Sequence, residues 1–247
     1  MRAVKGECNV TDGSADAQRY NEHVTAIYGE RYAAQYPAIY ITPWWRKHEL
    51  NATHLRRILD ALKPAQPSWL DIGCGQAWHF SMFPGRAHRV GLDLSYAQLI
   101  RAKRSAPDAA FLRADMTRAP FSAASFDLVT NFWAGYCYLD SFERIGSLLH
   151  DVMRWIRPGG ALYMEVLLAR DLESFNYSDF SGATGFVVVP RSQDYTAWCY
   201  DDTGGRHVMV SPPLEFFLDV LTPQFEQIEA MHDGAFMVHL IATQRKG

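Results

Sequence analysis

The chain of 247 residues has no run long and apolar enough to cross a bilayer. Its opening stretch, MRAVKGECNVTDGSADAQ, lacks the apolar centre of a secretory leader, so a cytoplasmic protein is expected. Cysteine is scarce and scattered. Cys8, Cys74, Cys137 and Cys199 show neither metal-ligand spacing nor a disulfide pattern, and no metal site is expected. No run of Lys and Arg appears and the formal net charge is −3, whereas nucleic-acid binders carry a basic face. Neither nucleic acid nor membrane is therefore an expected partner. There is no internal repeat, no low-complexity tract and no Ser-His-Asp elbow.

Apolar and aromatic residues are plentiful, at 48% and 13%, enough for one large α/β core with appended elements. Residues 1–16 read as a flexible tail and 17–66 as a helical unit. In the latter, Tyr20, Val24, Ile27, Tyr28, Tyr32 and Tyr36 recur at spacings of three and four up to Pro37. A second helix is expected from Arg46 to Leu62, closed by Pro64 and Pro67. Residues 67–247 form the core. Strands are predicted at Ser68–Ile72, Arg89–Leu94, Ala109–Arg113, Phe126–Asn131 and Ala161–Val166. Helices are predicted at Ser95–Ser105, opening on Ser95 as N-cap, and at Asp140–Ile156. Such alternation implies a parallel sheet covered on both faces. The pattern changes over 170–212, where Phe186–Pro190, Tyr195–Tyr200 and Arg206–Val210 read as an inserted antiparallel meander. A helix to Leu221 and two strands, Phe225–Ala230 and Ala235–Thr243, complete the chain.

The stretch Trp69–Phe80, WLDIGCGQAWHF, organises the rest. An apolar strand enters Asp71, then Gly73-x-Gly75, then a helix start. The glycines let backbone turn sharply and approach a ligand, and the helix N-terminus favours anionic groups. The next strand ends in Asp93, roughly 20 residues past the turn, where an acid can accept hydrogen bonds from a ribose diol.

In this order, Asp71-x-Gly73-x-Gly75, Asp93, Arg113-Ala114-Asp115-Met116, Phe126-Asp127-Leu128-Val129 and Arg157-Pro158-Gly159-Gly160 resemble the class I S-adenosylmethionine-dependent methyltransferases. Ala77 stands where that family has a third glycine. The resemblance covers about Trp69–Glu165. It implies an α/β, Rossmann-like, seven-stranded doubly wound sheet whose last two strands form an antiparallel hairpin, with residues 17–66 as a lid. It implies S-adenosyl-L-methionine as cofactor. Asp71 would hold its amino group, directly or through water. Asp93, with Leu94 beside it, would take the ribose hydroxyls, Asp115 and the Met116 backbone the adenine, and Asn131 the methionine part. A lid tyrosine, Tyr28 or Tyr20, would reach the cofactor. The expected function is methyl transfer to an oxygen or nitrogen of a small metabolite, in secondary metabolism, with a homodimer left open.

Trp133 and Tyr136 follow strand four at the sheet edge and are candidates for the substrate pocket. Methyl transfer from a sulfonium needs chiefly positioning, and a hydroxyl acceptor also needs a base. Of the nine histidines, His79 and His23 lie in segments expected near the pocket, and His79 is the candidate base; Glu165 inside strand five is the other candidate. Two rivals stand beside this reading. One is an NAD-dependent oxidoreductase, which shares a glycine turn and ribose acid. The other is a cofactor-binding fold relative, a cyclase or regulatory protein, that does not methylate.

Overall fold

The structure, a computed structural model, describes residues 22–233 and 236–247. The expected tail and Tyr20 lie outside these residues. Strand β1 (Ser68–Ile72) is buried along almost its whole length, as is β4 (Phe126–Asn131), the pattern of central parallel strands covered on both faces. Around them run β2 (His88–Asp93), β3 (Ala110–Arg113), β5 (Ile156–Val166), β9 (Phe225–His232) and β10 (Val238–Arg245). The seven strands lie in the order β3-β2-β1-β4-β5-β10-β9. β1 to β5 pair in parallel; β10 is antiparallel to both β5 and β9. The chain leaves β1 toward β2 on one side and returns to β4 on the other. The carboxyl ends of β1 and β4 therefore flank the crevice where open α/β sheets bind ligands.

Helix α3 (Trp45–Ala61) packs Leu55, Ile58 and Leu59 with Trp69, Phe80 and Tyr163. Helix α5 (Tyr96–Ser105) opens on Ser95, whose Oγ accepts the Gln98 N–H at 3.2 Å, as expected of an N-cap. Helix α6 (Phe142–Trp155) is capped by Ser141 in the same way and buries Ile145, Leu148, Leu149 and Val152 in the main core. β5 begins earlier than the sequence suggests, because Arg157-Pro158-Gly159-Gly160 continues the strand through a register shift opposite Phe126 and Leu128. Gly160 makes this fit: a Cβ there would lie 2.7 Å from Ile156 and 2.8 Å from the Asp127 carbonyl oxygen.

Two expectations are corrected. The long N-terminal helix is broken: residues 22–27 form α1 and Glu30–Tyr36 form α2, which ends at Pro37 as expected and passes into a wide turn (Pro37–Ile41). The break falls at Tyr28, whose carbonyl oxygen accepts the Ser95 hydroxyl at 2.6 Å. One serine thus caps α5 and ties the N-terminal helices to the sheet edge. The second correction concerns 170–212. Its first part holds two short helices, α7 (Ala169–Phe175) and α8 (Asp179–Thr184), and the meander is a three-stranded sheet of β6 (Val189–Pro190), β7 (Ala197–Asp202) and β8 (Gly205–Val210). Helices of one or two turns are too short to display a hydrophobic period. Helix α9 (Leu214–Leu221) leads into β9. Among the described residues no helix is long and apolar enough to cross a membrane.

Candidate active site

The glycine turn after β1 is bound to the end of β2. Gly73 and Cys74 N–H donate to the Leu92 carbonyl oxygen at 2.7 and 3.0 Å, and Gly75 N–H donates to Asp93 Oδ2 at 2.8 Å. Gly73 and Gly75 have φ of +66° and +50°, the left-handed region that glycine enters without cost. Ala77 is also left-handed, at φ +56°, so the place of the family's third glycine keeps its backbone shape and an alanine bears the strain. The helix behind, α4 (Trp78–Ser81), is a single turn. Its dipole is correspondingly slight, and the expected anion-binding helix end is not what this turn offers. Asp93 Oδ1 accepts the Ser95 N–H at 2.8 Å. Both Asp93 oxygens thus accept backbone N–H groups, and the carboxylate keeps lone-pair capacity on the cavity side. Burial raises the Asp93 pKa, offset in part by the Ser95, Gly75 and Leu94 amides.

These groups border a cavity. Gly73, Gly75, Asp93 and Leu94 form one wall; Asp115 and Met116 lie farther along it. Asp115 caps the short turn Met116–Arg118 through Thr117 N–H at 2.9 Å. Tyr28 and Tyr36 close the cavity from the N-terminal helices, with Trp133 and Tyr138 from the loop after β4. The same four aromatics also border a second cavity, beneath the three-stranded sheet. Its remaining lining, including Tyr40, Phe186, Trp198, Tyr200 and Phe236, contains no charged side chain. Two chambers, one with acids at strand ends and one aromatic and uncharged, thus meet at a shared wall.

The sequence-predicted residues fall into two groups. Tyr28, Gly73, Gly75, His79, Asp93, Leu94, Asp115, Met116 and Trp133 line the larger cavity. Asp71, Asn131, Tyr136 and Glu165 do not; they are buried around it. Asp71 lies beneath the glycine turn, where Thr130 donates to its Oδ1 at 2.6 Å. Asn131 donates to the Ile72 carbonyl oxygen at 2.7 Å, below Gly73 and Gly135, and its buried Oδ1 has no partner among the described residues. Tyr136 is core: its hydroxyl accepts the Leu167 N–H at 3.0 Å and its ring packs on Phe217, away from both cavities. Glu165 accepts from Lys47 and, at 2.7 Å, from the Trp133 N–H, an arrangement for holding a loop.

His79 stacks on Phe132 with ring centroids 3.9 Å apart, and its Nε2 lies 3.2 Å from Asn51 Nδ2 and 3.4 Å from His48 Nδ1. Burial, reinforced by His48, pushes its pKa well below 6.5, and burial brings His48 and His239 to about 4. These imidazoles are neutral in the folded protein at physiological pH. The unfolded chain binds more protons between about pH 4 and 6.5, so folding stability is expected to fall as pH drops through that window. Asp71 acts in the opposite sense: burial raises its pKa from 3.8 to about 8, so the folded chain holds the extra proton. Above pH 6.5 stability is expected to decline until about pH 8. Urea denaturation from pH 5 to 9 checks both limbs, and Asp71→Asn should flatten the upper one.

Residues that the sequence reading passed over also stand here. His207, fully buried in β8, joins Tyr138 to Asp202; Lys47 pairs with Glu165. The hairpin around Asp201–Gly205 was legible, and its register places Tyr200 opposite His207. The partners across the fold were not.

Residues 70–164 match the family model described as a methyltransferase domain, which runs from β1 into β5. Residues 70–164 thus carry a methyltransferase domain. The chain is 36% identical over 98 residues to phthiotriol/phenolphthiotriol dimycocerosates methyltransferase of Mycobacterium leprae, covering 38% of this chain and 35% of that relative. The matched part thus spans about a third of that relative's length. The fold is shared with the PH0226 protein of Pyrococcus horikoshii, with a TM-score of 0.66, 17% identity, and coverage of 85% of this chain and 95% of that one. It is shared too with S-adenosylmethionine-bound CalS10, an amino pentose methyltransferase from Micromonospora echinaspora involved in calicheamicin biosynthesis. That match has a TM-score of 0.58 and 17% identity, over 97% of this chain and 100% of that one. The antiparallel β10 belongs to this fold, and with the family match it sets aside the oxidoreductase alternative. Among the described residues no group of His, Cys, Asp and Glu could hold a metal ion.

The residues present fit the adenosyl cofactor of this class. The positive-φ glycines leave room for close approach, the Asp93 carboxylate has lone pairs for a diol, and the unpartnered Asn131 Oδ1 calls for a donor such as an amino group.

Proposed function

We propose that the protein transfers the methyl group of S-adenosylmethionine to a small, uncharged, aromatic or apolar metabolite held in the second chamber. The observation that carries this is the shared wall: Tyr28, Tyr36, Trp133 and Tyr138 border both cavities. In this reading Asp93 holds the ribose hydroxyls, Asp115 and Met116 the adenine, and Asn131 the amino group. The bound sulfonium supplies an already activated methyl carbon. The chain's part is to aim it, exclude water and present the acceptor in line. The tyrosine and tryptophan faces at the junction suit a sulfonium, because aromatic rings attract cations. Burial raises the pKa of Tyr28, Tyr36 and Tyr138 well above 10, so the wall is uncharged at physiological pH.

The second chamber has no Lys or Arg among its lining residues, which disfavours a phosphate-bearing substrate. The proteins this chain resembles include a phthiotriol/phenolphthiotriol dimycocerosates methyltransferase and an amino pentose methyltransferase involved in calicheamicin biosynthesis, which supports a metabolite of secondary metabolism. Incubation with methyl-labelled S-adenosylmethionine and separated small-molecule, RNA and protein fractions tests the reading. Label is expected in the small-molecule fraction; label confined to RNA or protein would contradict it.

A further inference from the structure

We infer that Tyr28, Tyr138, His207 and Asp202 form a proton wire that deprotonates the methyl acceptor, and that the acceptor is a phenolic or enolic hydroxyl. The inference rests on the proposed methyl transfer and extends it to the acceptor atom.

The wire follows from the hydrogen-bond directions. His207 Nε2 lies 2.8 Å from Asp202 Oδ1. Burial would raise the Asp202 pKa, but hydrogen bonds from His207 and Tyr32 more than offset it and the net shift is downward. The Asp202 carboxylate is therefore ionised and can only accept, so the His207 proton sits on Nε2 and Nδ1 offers its lone pair. Tyr138 Oη is 2.5 Å from that Nδ1 and donates to it. Tyr28 Oη lies 2.9 Å from Tyr138 Oη. Because the Tyr138 proton is committed to His207, Tyr28 is the donor in that pair. The Tyr28 oxygen then keeps lone pairs for a further donor, and Tyr28 lines both cavities. Asp202 is fixed in turn by Tyr32 at 2.5 Å and by the Gly204 N–H at 2.7 Å. Tyr200 lies flat on the His207 ring, with centroids 4.1 Å apart. This is the base-and-orienting-acid arrangement that activates weak nucleophiles, here leading through two phenols.

As the acceptor oxygen attacks the methyl carbon, its proton passes to Tyr28, the Tyr28 proton to Tyr138, and the Tyr138 proton to His207 Nδ1. The new O–C bond forms with the oxygen lone pair, and the electrons of the broken C–S bond stay on sulfur. His207 is left as an imidazolium beside Asp202 and returns its proton to solvent after product release. A neutral amine attacks with a lone pair it already holds and would leave this wire unused. The uncharged aromatic chamber suits a planar hydroxylated molecule. On its own hairpin His207 is faced by Asp202, Tyr200 and, more distantly, Asp201. From the N-terminal helices it is faced by His23, Tyr28 and Tyr32, and from the loop after β4 by Tyr138.

The test uses the full chain loaded with S-adenosylhomocysteine, which carries no sulfonium charge, and 4-nitrophenol, whose phenolate absorbs visible light. At a pH where the free probe is mostly protonated, the bound probe should show an ionised-to-neutral ratio about tenfold or more above the free value, one pKa unit. Tyr28→Phe, Tyr138→Phe and His207→Gln should each return the ratio toward the free value while the probe still binds. Tyr28→Phe, at the cavity wall, supplies this readout even if His207→Gln does not fold. A bound probe no more ionised than the free one overturns the inference, as does an increase that persists in Tyr28→Phe, or a probe that does not bind. Calorimetry of S-adenosylhomocysteine with the same sample separates the two layers. Failure there sinks the methyl-transfer reading, whereas normal binding with an unchanged probe sinks the wire alone.

Discussion

Asp93→Ala is expected to weaken S-adenosylhomocysteine binding on the order of 10²–10⁴-fold, measured by calorimetry, while the chain stays folded. Hydrogen bonds to a charged group contribute about 1.5–3 kcal/mol each, and two of them to a ribose diol account for that range. Fold maintenance follows from the other side of the balance. The Asp93 carboxylate is held against its own burial, which raises its pKa, so deleting it also removes a desolvated charge. Its present partners, the Gly75 and Ser95 amides, lie at the cavity edge where water can replace it. A loss of less than about fivefold, below the contribution of one neutral hydrogen bond, would place the ribose elsewhere.

Glu165→Ala should have the largest effect on stability, a loss of about 3–5 kcal/mol in urea unfolding, because it strands a buried cation. The Lys47 and Glu165 side chains are 7% and 0% exposed. The other Glu165 oxygen takes the Trp133 N–H and so fixes the backbone where Trp133 and Ala134 both have positive φ, +55° and +48°. Two successive non-glycine residues in that region cost roughly 1–2 kcal/mol each and persist only when their surroundings hold them. Glu165→Leu combined with Lys47→Met should recover most of the loss, since no lone charge stays buried. Burial would raise the Glu165 pKa, but Lys47, His239 and the Trp133 amide more than offset it and bring it to about 2. Its contribution is therefore complete above about pH 4.5 and lost only as pH falls toward 2. A single-variant loss below about 1 kcal/mol would return Glu165 to candidacy as a base.

The contrast between Asp93 and Glu165 marks what can be read from the chain. Asp93 belongs to a local pattern: a glycine turn, a strand and a serine cap within 23 residues, Gly73 to Ser95. The strands β1 and β4 were equally plain, because each carries an apolar pair, Trp69-Leu70 and Leu128-Val129, and ends beside a turn signal. Glu165 meets Lys47 across 118 positions, and Tyr138 meets His207 across 69. No spacing rule reaches so far, and an acid inside a strand reads alike whether it is a base or a brace. Tyr136 illustrates the same limit on a smaller scale. It stands two positions from Tyr138, yet the short turn Gly135–Tyr138 sends one ring into the core and the other to the junction of the two chambers.

A crystal structure of the complex with S-adenosylhomocysteine tests the central claim most directly. The account predicts the ribose on Asp93, the adenine beside Asp115 and Met116, and the sulfur at the wall formed by Tyr28, Trp133 and Tyr138, facing the aromatic chamber. Adenine within the aromatic chamber, or sulfur directed away from that wall, would contradict it.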